Sequence, residues 1–323
     1  MSKWPETLQE AITFFADDDN CQRFMTAIRW TDGKARCPHC DSEEVTYLAK
    51  QRRWKCYGKH PKAQFSLKVG TIFEDSPLGL DKWLPAAWLI CNCKNGISSY
   101  ELARDLGVTQ KSCWFMLHRV RVAMQTGSFK KLSGEVEADE TFIGGKLSNM
   151  HKVKQAQLTR DGRQRKGVVG KAIVSGLLER HTKEARVKVM PNVRAFHIRT
   201  NIIDNVEKGT TIYSDALRSY RNTTVDGFEH EFIDHTEAYV SGRFHTNGLE
   251  NFWSLFKRAL KGTYVSVEPF HLQAYADEQC FRYNERKATD AQRFALVMSQ
   301  IVGRRLTYQE LTGKEEQLER EPG

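Results

Sequence analysis

The sequence is poor in long apolar runs. None approaches the ~18 uninterrupted apolar residues of a membrane-spanning helix, and mean hydropathy is −0.57. The opening MSKWPETLQE lacks a basic-then-apolar run, so no secretory leader is expected. Internal repeats and low-complexity tracts are absent as well. Acid is in deficit: 40 Asp and Glu stand against 49 Lys and Arg, a net charge of +9. These shortfalls argue against membrane, secreted and disordered classes, and the surplus of positive charge suits a partner that carries phosphates. What is present is ordinary for a globular chain of one to three domains: 323 residues, 40% apolar and 28% charged.

Eight cysteines without an export signal do not read as a disulfide framework. Cys37-Pro38-His39-Cys40 is a CxxC knuckle, and Cys56 and His60 follow as a C-x3-H pair after a strand-like stretch containing Val45, Tyr47 and Trp54. Two close ligand pairs separated this way suit a tetrahedral structural Zn²⁺ held by Cys37, Cys40, Cys56 and His60. His39 reads as a bystander.

The stretch 4–30 has apolar residues at helical spacing, and 78–126 reads as helical again. Within it, Ser98 and Glu101 form a capping-box pattern, Gly107 supplies a tight turn and Thr109 caps a second helix. This resembles a helix-turn-helix, whose second helix carries Gln110, Lys111, Ser112, Arg119 and Arg121 as candidate DNA contacts.

Beyond 135 the pattern alternates strands and helices. Glu135–Phe142 reads as a strand with Glu135, Glu137 and Asp139 on one face, a costly density unless the acids are exposed or bind a cation. Strands follow over 168–178 and 185–190. Next come a helix with Val193, Phe196, Ile203 and Val206 on its apolar face, and a strand ending at Asp215. The order is β-β-β-α-β. A later helix carries Glu250, Trp253 and Lys257 at i, i+3 and i+7, hence on one face, with core packing as the favoured role of Trp253.

Acids on the first strand, after the fourth strand and on a later helix resemble a ribonuclease-H-like fold. The 34 residues between Asp215 and Glu250, and Lys257 seven residues further on, resemble the D(34)E and DDE-K signatures of bacterial insertion-sequence transposases. Together with the zinc ribbon, Phe65–Phe73, Glu137-Ala138-Asp139-Glu140 with Gly144-Gly145, and His245-Thr246-Asn247, the chain is similar to the ISXO-type group over residues 10–290. The resemblance implies an α/β fold: a ribonuclease-H-like catalytic domain (131–300) preceded by a zinc ribbon (1–75) and a helix-turn-helix region (76–130), with a tail over 301–323. It implies that Asp139, Asp215 and Glu250, with Lys257, cut and join DNA using Mg²⁺ or Mn²⁺ by two-metal phosphoryl transfer. Asn247 is the alternative third residue, and otherwise the expected N-cap of that helix with Glu250 at N3. The basic loop 146–171, with Lys152, Lys154, Arg163, Arg165 and Lys166, and Lys257-Arg258 are expected to meet phosphates. The implied partners are double-stranded DNA, both element ends and target, and a second copy of the chain, in the bacterial nucleoid. Two other readings stay open: a ribonuclease-H-like nuclease that does not join strands, and a DNA-binding regulator with an inactive acidic domain.

Overall fold

The computed structural model describes residues 4–125, 130–145, 147–159, 170–215, 226–233 and 246–313. For Lys154 and Asp215 the description extends to the backbone alone. The chain divides into two compact units, Met1–Thr126 with Glu285–Gly323, and Gly127–Asn284.

In the first unit the N-terminal helical stretch is two helices, α1 (Leu8–Phe15) and α2 (Asp18–Arg29). The break has a local cause: the Asp17 carboxylate accepts the backbone N–H groups of Asp19 and Asn20, so a new helix starts there. Three antiparallel strands follow, β1 (Val45–Leu48), β2 (Arg53–Cys56) and β3 (Gln64–Phe65). Their small core is Trp54, packed against Trp30, Tyr47 and Phe65. Then come α3 (Leu80–Asn92), α4 (Ser99–Leu106) and α5 (Gln110–Met124).

The second unit begins with β4 (Glu135–Ile143), followed by α6 (Lys152–Thr159), β5 (Ala172–Glu179), β6 (Ala185–Met190), α7 (Ala195–Asn205), β7 (Thr211–Asp215) and β8 (Glu229–Ile233). The helices α8 (Asn247–Ala259) and α9 (Leu272–Asn284) complete it. One sheet of five strands runs in the order β6-β5-β4-β7-β8. The pairs β6–β5 and β5–β4 are antiparallel, and β4–β7 and β7–β8 are parallel. Strand alternation divides the side chains between two cores. Val136, Ala138, Ile173, Leu177 and Ile212 pack with Ile198 and Ile202 of α7. Val174 and Leu178 pack with Leu249, Phe252, Trp253 and Phe256 of α8. This mixed α/β arrangement is the expected class.

Several expectations need correction. The apolar face expected on α7 is half right: Val206 is buried and Val193 packs against the same core, but Phe196 and Ile203 are exposed, and Ile198 and Ile202 are buried instead. The basic loop contains α6. Strand β8 carried no clear sequence signal. The N-cap of α8 is Thr246, not Asn247, which is the first helical residue, so Glu250 does not sit at N3. Residues 285–300, expected with the catalytic segment, group with the first unit, in which α10 (Asp290–Ser299) and α11 (Tyr308–Thr312) lie. Phe294 of α10 stacks on Phe24 and packs against Phe15 and Trp88.

Candidate functional site

The first candidate centre is the cysteine knuckle. Ligand atoms of Cys37, Cys40, Cys56 and His60 all lie within 4.8 Å of one another. The Sγ atoms of Cys40 and Cys56 are 3.6 Å apart, and Cys37 Sγ is 3.3 Å from His60 Nε2. A tetrahedron with Zn–S bonds of about 2.3 Å has edges of roughly 3.8 Å, so the four donors fit a zinc ion. The Gly58 N–H donates to Cys56 Sγ at 3.2 Å. A Cβ on Gly58 would lie 2.9 Å from Cys40 Sγ, so a side chain there would crowd the ligands. Burial pushes the Cys37 thiol up, but backbone N–H groups of His39 and Cys40 and the neighbouring thiols together bring it below its ordinary value. His39 is exposed, its ring 5.4 Å from that of His60, outside the ligand set.

The helical pair α4–α5 turns at Gly107, whose φ of 65° is the left-handed conformation that closes a helix at little cost in glycine. Thr109 accepts the Ser112 N–H at the start of α5. Lys111 is exposed, with its ammonium 5.0 Å from the Tyr308 ring, and Gln110 donates to the Ser99 hydroxyl across the turn. Arg119 is not a DNA-facing group. It is 4% exposed, donates to the carbonyls of Glu74 and Leu306, and lies over the Phe115 ring. Burial lowers its pKa. Arg121 is buried as well. The α5 helix packs through its later turns, and its first turn alone keeps the exposed polar groups.

The acidic constellation is assembled by the five-stranded sheet. Ala138 pairs with Ser214 across parallel β4 and β7, so the next residues, Asp139 and Asp215, hold neighbouring register positions. Asp139 accepts the Glu140 N–H on Oδ1 at 2.8 Å and the Trp253 indole N–H on Oδ2 at 2.9 Å. Trp253 is 4% exposed, which confirms packing as its main setting. Glu250 lies one turn before Trp253 on α8. Glu250, Lys257 and Arg258 are all exposed, as is Asn247 at the head of the helix.

Glu137 adds a feature that sequence reading missed. It is fully buried, and hydrogen bonds and the Arg180 guanidinium offset the burial cost. Its Oε2 accepts the Leu249 N–H at 3.0 Å, and its Oε1 faces Arg180 Nε at 3.3 Å. Gly248 permits the approach, since a Cβ there would be 2.7 Å from Glu137 Oε2. The Arg180 guanidinium also stacks 3.7 Å over the Tyr213 ring, whose hydroxyl donates to Glu135. Burial, then the Glu135 hydrogen bond, raises the Tyr213 pKa. Beside Asp215, Ser214 hydrogen-bonds His230, whose pKa burial lowers below its ordinary value. The one legible signal for this network was the glycine at 248, directly before the helix turn that carries Glu250.

Lys152 is exposed at the start of α6. Arg163, Arg165 and Lys166 lie outside the described residues. Phe281, Arg282, Tyr283 and Asn284 close α9, and Arg282 is buried and ion-paired with Glu278. Among the described residues no helix is long and apolar enough to cross a membrane.

Comparison with known proteins agrees with this geometry. The ISXO2-like transposase domain matches residues 131–284, and the transposase zinc-ribbon domain matches residues 16–58. A protein of Halobacterium salinarum described as an uncharacterized protein in transposable element ISH50 is 26% identical over 254 residues, covering 77% of this chain and 85% of that protein. An uncharacterized transposase-like protein of Haemophilus influenzae is 30% identical over 96 residues, covering 30% of this chain and 77% of that protein. With a zinc-ribbon match preceding a transposase-domain match, the chain belongs to the ISXO2-like family of insertion-sequence transposases.

Proposed function

We propose that the protein cuts and joins DNA at the ends of an insertion sequence, with Asp139, Asp215 and Glu250 as the metal-holding carboxylates of a ribonuclease-H-like domain. The observation that carries this reading is the neighbouring register of Asp139 and Asp215, with the helix that bears Glu250 hydrogen-bonded to Asp139 through Trp253. The strand order is in keeping with the β-β-β-α-β pattern of that fold. Glu250 is preferred to Asn247 because it lies between the two residues, Leu249 and Trp253, that tie α8 to β4.

Hard carboxylate oxygens suit Mg²⁺ or Mn²⁺, which when bound activate a water or hydroxyl nucleophile and stabilise the leaving oxygen. In the first reaction water adds to phosphorus and the bond to the 3′ oxygen breaks, leaving a 3′-hydroxyl and a 5′-phosphate. In the second, that hydroxyl adds to a target phosphodiester, and the displaced target oxygen leaves as a hydroxyl. The exposed cations Lys257 and Arg258 then hold the phosphate backbone, and Lys152, Lys154, Arg163, Arg165 and Lys166 add phosphate-binding charge from the basic loop of the sequence. Gln110, Lys111 and Ser112 at the head of a helix-turn-helix contact the element end, and a structural Zn²⁺ on Cys37, Cys40, Cys56 and His60 holds the ribbon. The working regions are then a ribbon and helical DNA-binding part followed by the catalytic part. Two copies handle the two ends together, at the nucleoid.

The test is incubation of the protein with terminal-inverted-repeat DNA and Mg²⁺. Wild type should nick and join. D139N, D215N and E250Q should each lose at least ~10³-fold in rate, the several kcal/mol that a lost metal ligand removes from transition-state stabilisation. N247A should stay within a few-fold of wild type. Cutting without joining would make the protein a nuclease, and activity in all three acid variants would end the reading.

A further inference from the structure

We propose that Trp253 is a positioning residue for the metal site, its indole N–H holding the Asp139 carboxylate in the orientation that receives the ion. The inference rests on the reading of Asp139 as a metal-holding acid. The bond is 2.9 Å from Trp253 Nε1 to Asp139 Oδ2, and the other oxygen, Oδ1, accepts the Glu140 N–H at 2.8 Å. Both oxygens are thereby tied, which stops rotation of the carboxylate. An ionised carboxylate has about four acceptor positions, so two such bonds orient it without using up its capacity for a ligand. The indole is a donor only and does not titrate, so it orients Asp139 at any pH.

The sheet is cut to receive this ring. Gly176 is the register partner of Asp139 on β5. A Cβ on Gly176 would lie 2.6 and 2.8 Å from two ring carbons of Trp253. A glycine opposite the acid therefore makes the slot through which the indole reaches it. The helix cannot slide out of that slot, because one turn earlier the Leu249 N–H is bonded to buried Glu137 on the same strand. Glu250 stands between these two ties, so the indole contact also fixes how far Glu250 lies from Asp139. Outer-sphere partners of this kind typically contribute 10–100-fold to metal affinity.

The experiment is Mn²⁺ titration of the zinc-loaded full chain without DNA, followed by electron paramagnetic resonance, beside a melting curve. W253F keeps the ring and removes the donor. G176A leaves both partners in place and pushes the ring away. Each is expected to weaken Mn²⁺ binding by about tenfold or more, with W253F melting close to wild type. In wild type the Trp253 indole N–H resonance, identified by its absence in W253F, should shift on adding Mg²⁺ and in D139N. If W253F folds poorly, G176A and this resonance carry the test. Wild-type Mn²⁺ affinity in W253F and G176A, with binding lost in D139N, would overturn the role of Trp253 and leave the Asp139 site standing. Undiminished Mn²⁺ binding in D139N would remove the site and the proposal together.

Discussion

The two candidate metal centres are built by opposite means. Cys37, Cys40, Cys56 and His60 come from one short stretch, and the three strands around them bury little beyond Trp54 and Phe65. Asp139, Asp215 and the helix of Glu250 come from three distant elements, brought together by a five-stranded sheet and the core under α8. In the ribbon the ion supplies what the small core lacks. On the proposed reading of the acidic site, the fold is complete beforehand and would supply an ion with its ligands. The difference predicts which centre fails when metal is withdrawn and which when packing is disturbed.

The largest effect should follow removal of zinc. Structural zinc binding is worth about 10–16 kcal/mol in zinc-finger peptides at neutral pH, and that binding energy is folding energy. Stripping zinc with a chelator, or C37S, should open residues 37–65 to proteolysis at their many lysines and arginines. Withdrawal of Mg²⁺ should leave the proteolysis pattern and melting temperature nearly unchanged. A ribbon that stays protease-resistant without zinc would erase the contrast.

The second test disturbs packing at the acidic site. E137A removes a buried acceptor and leaves Arg180, with a side chain 10% exposed, and the Leu249 N–H facing the gap. Breaking a buried pair this way costs about 3–5 kcal/mol, which for a unit of this size lowers the melting temperature by roughly 10 °C. E137Q, which keeps an acceptor for Leu249, should cost less than half as much. Equal melting of E137A and wild type would show that α8 is held by its apolar face alone.

The smallest effect separates two cations on one helix. K111A should reduce the slope of log affinity for DNA against log salt by about one and leave stability intact. R119A should leave that slope alone and lower stability, because Arg119 ties α5 to the carbonyls of Glu74 and Leu306. The reverse result would return Arg119 to the DNA surface.

The same contrast explains what could be read from the sequence. The zinc ligands were legible because tetrahedral chemistry constrains residues close in the chain. Asp139 and Asp215 were legible as a strand acid and a strand-end acid, and the sheet supplied their neighbouring register. Glu137 looked equivalent to Asp139 in a row of alternating acids. Burial under Gly248 and Leu249 distinguishes it, and those lie far along the chain. Arg119 carried the right charge on the right helix, but which turns of α5 are covered depends on Glu74 and Leu306, from both sides of the transposase-domain segment. The expected cap at Asn247 failed by one residue, since Thr246 takes the flanking backbone position.

The return of residues 285–313 to the first unit also orders the protein's manufacture. Phe294 fills a core with Phe15, Phe24 and Trp88, although the ribosome makes it long after them. Chains fold from the N-terminus as they emerge, yet here the opening unit must wait, its core incomplete, until the sheet and its acids have been synthesised. A chain halted anywhere before α10 therefore lacks a finished opening unit.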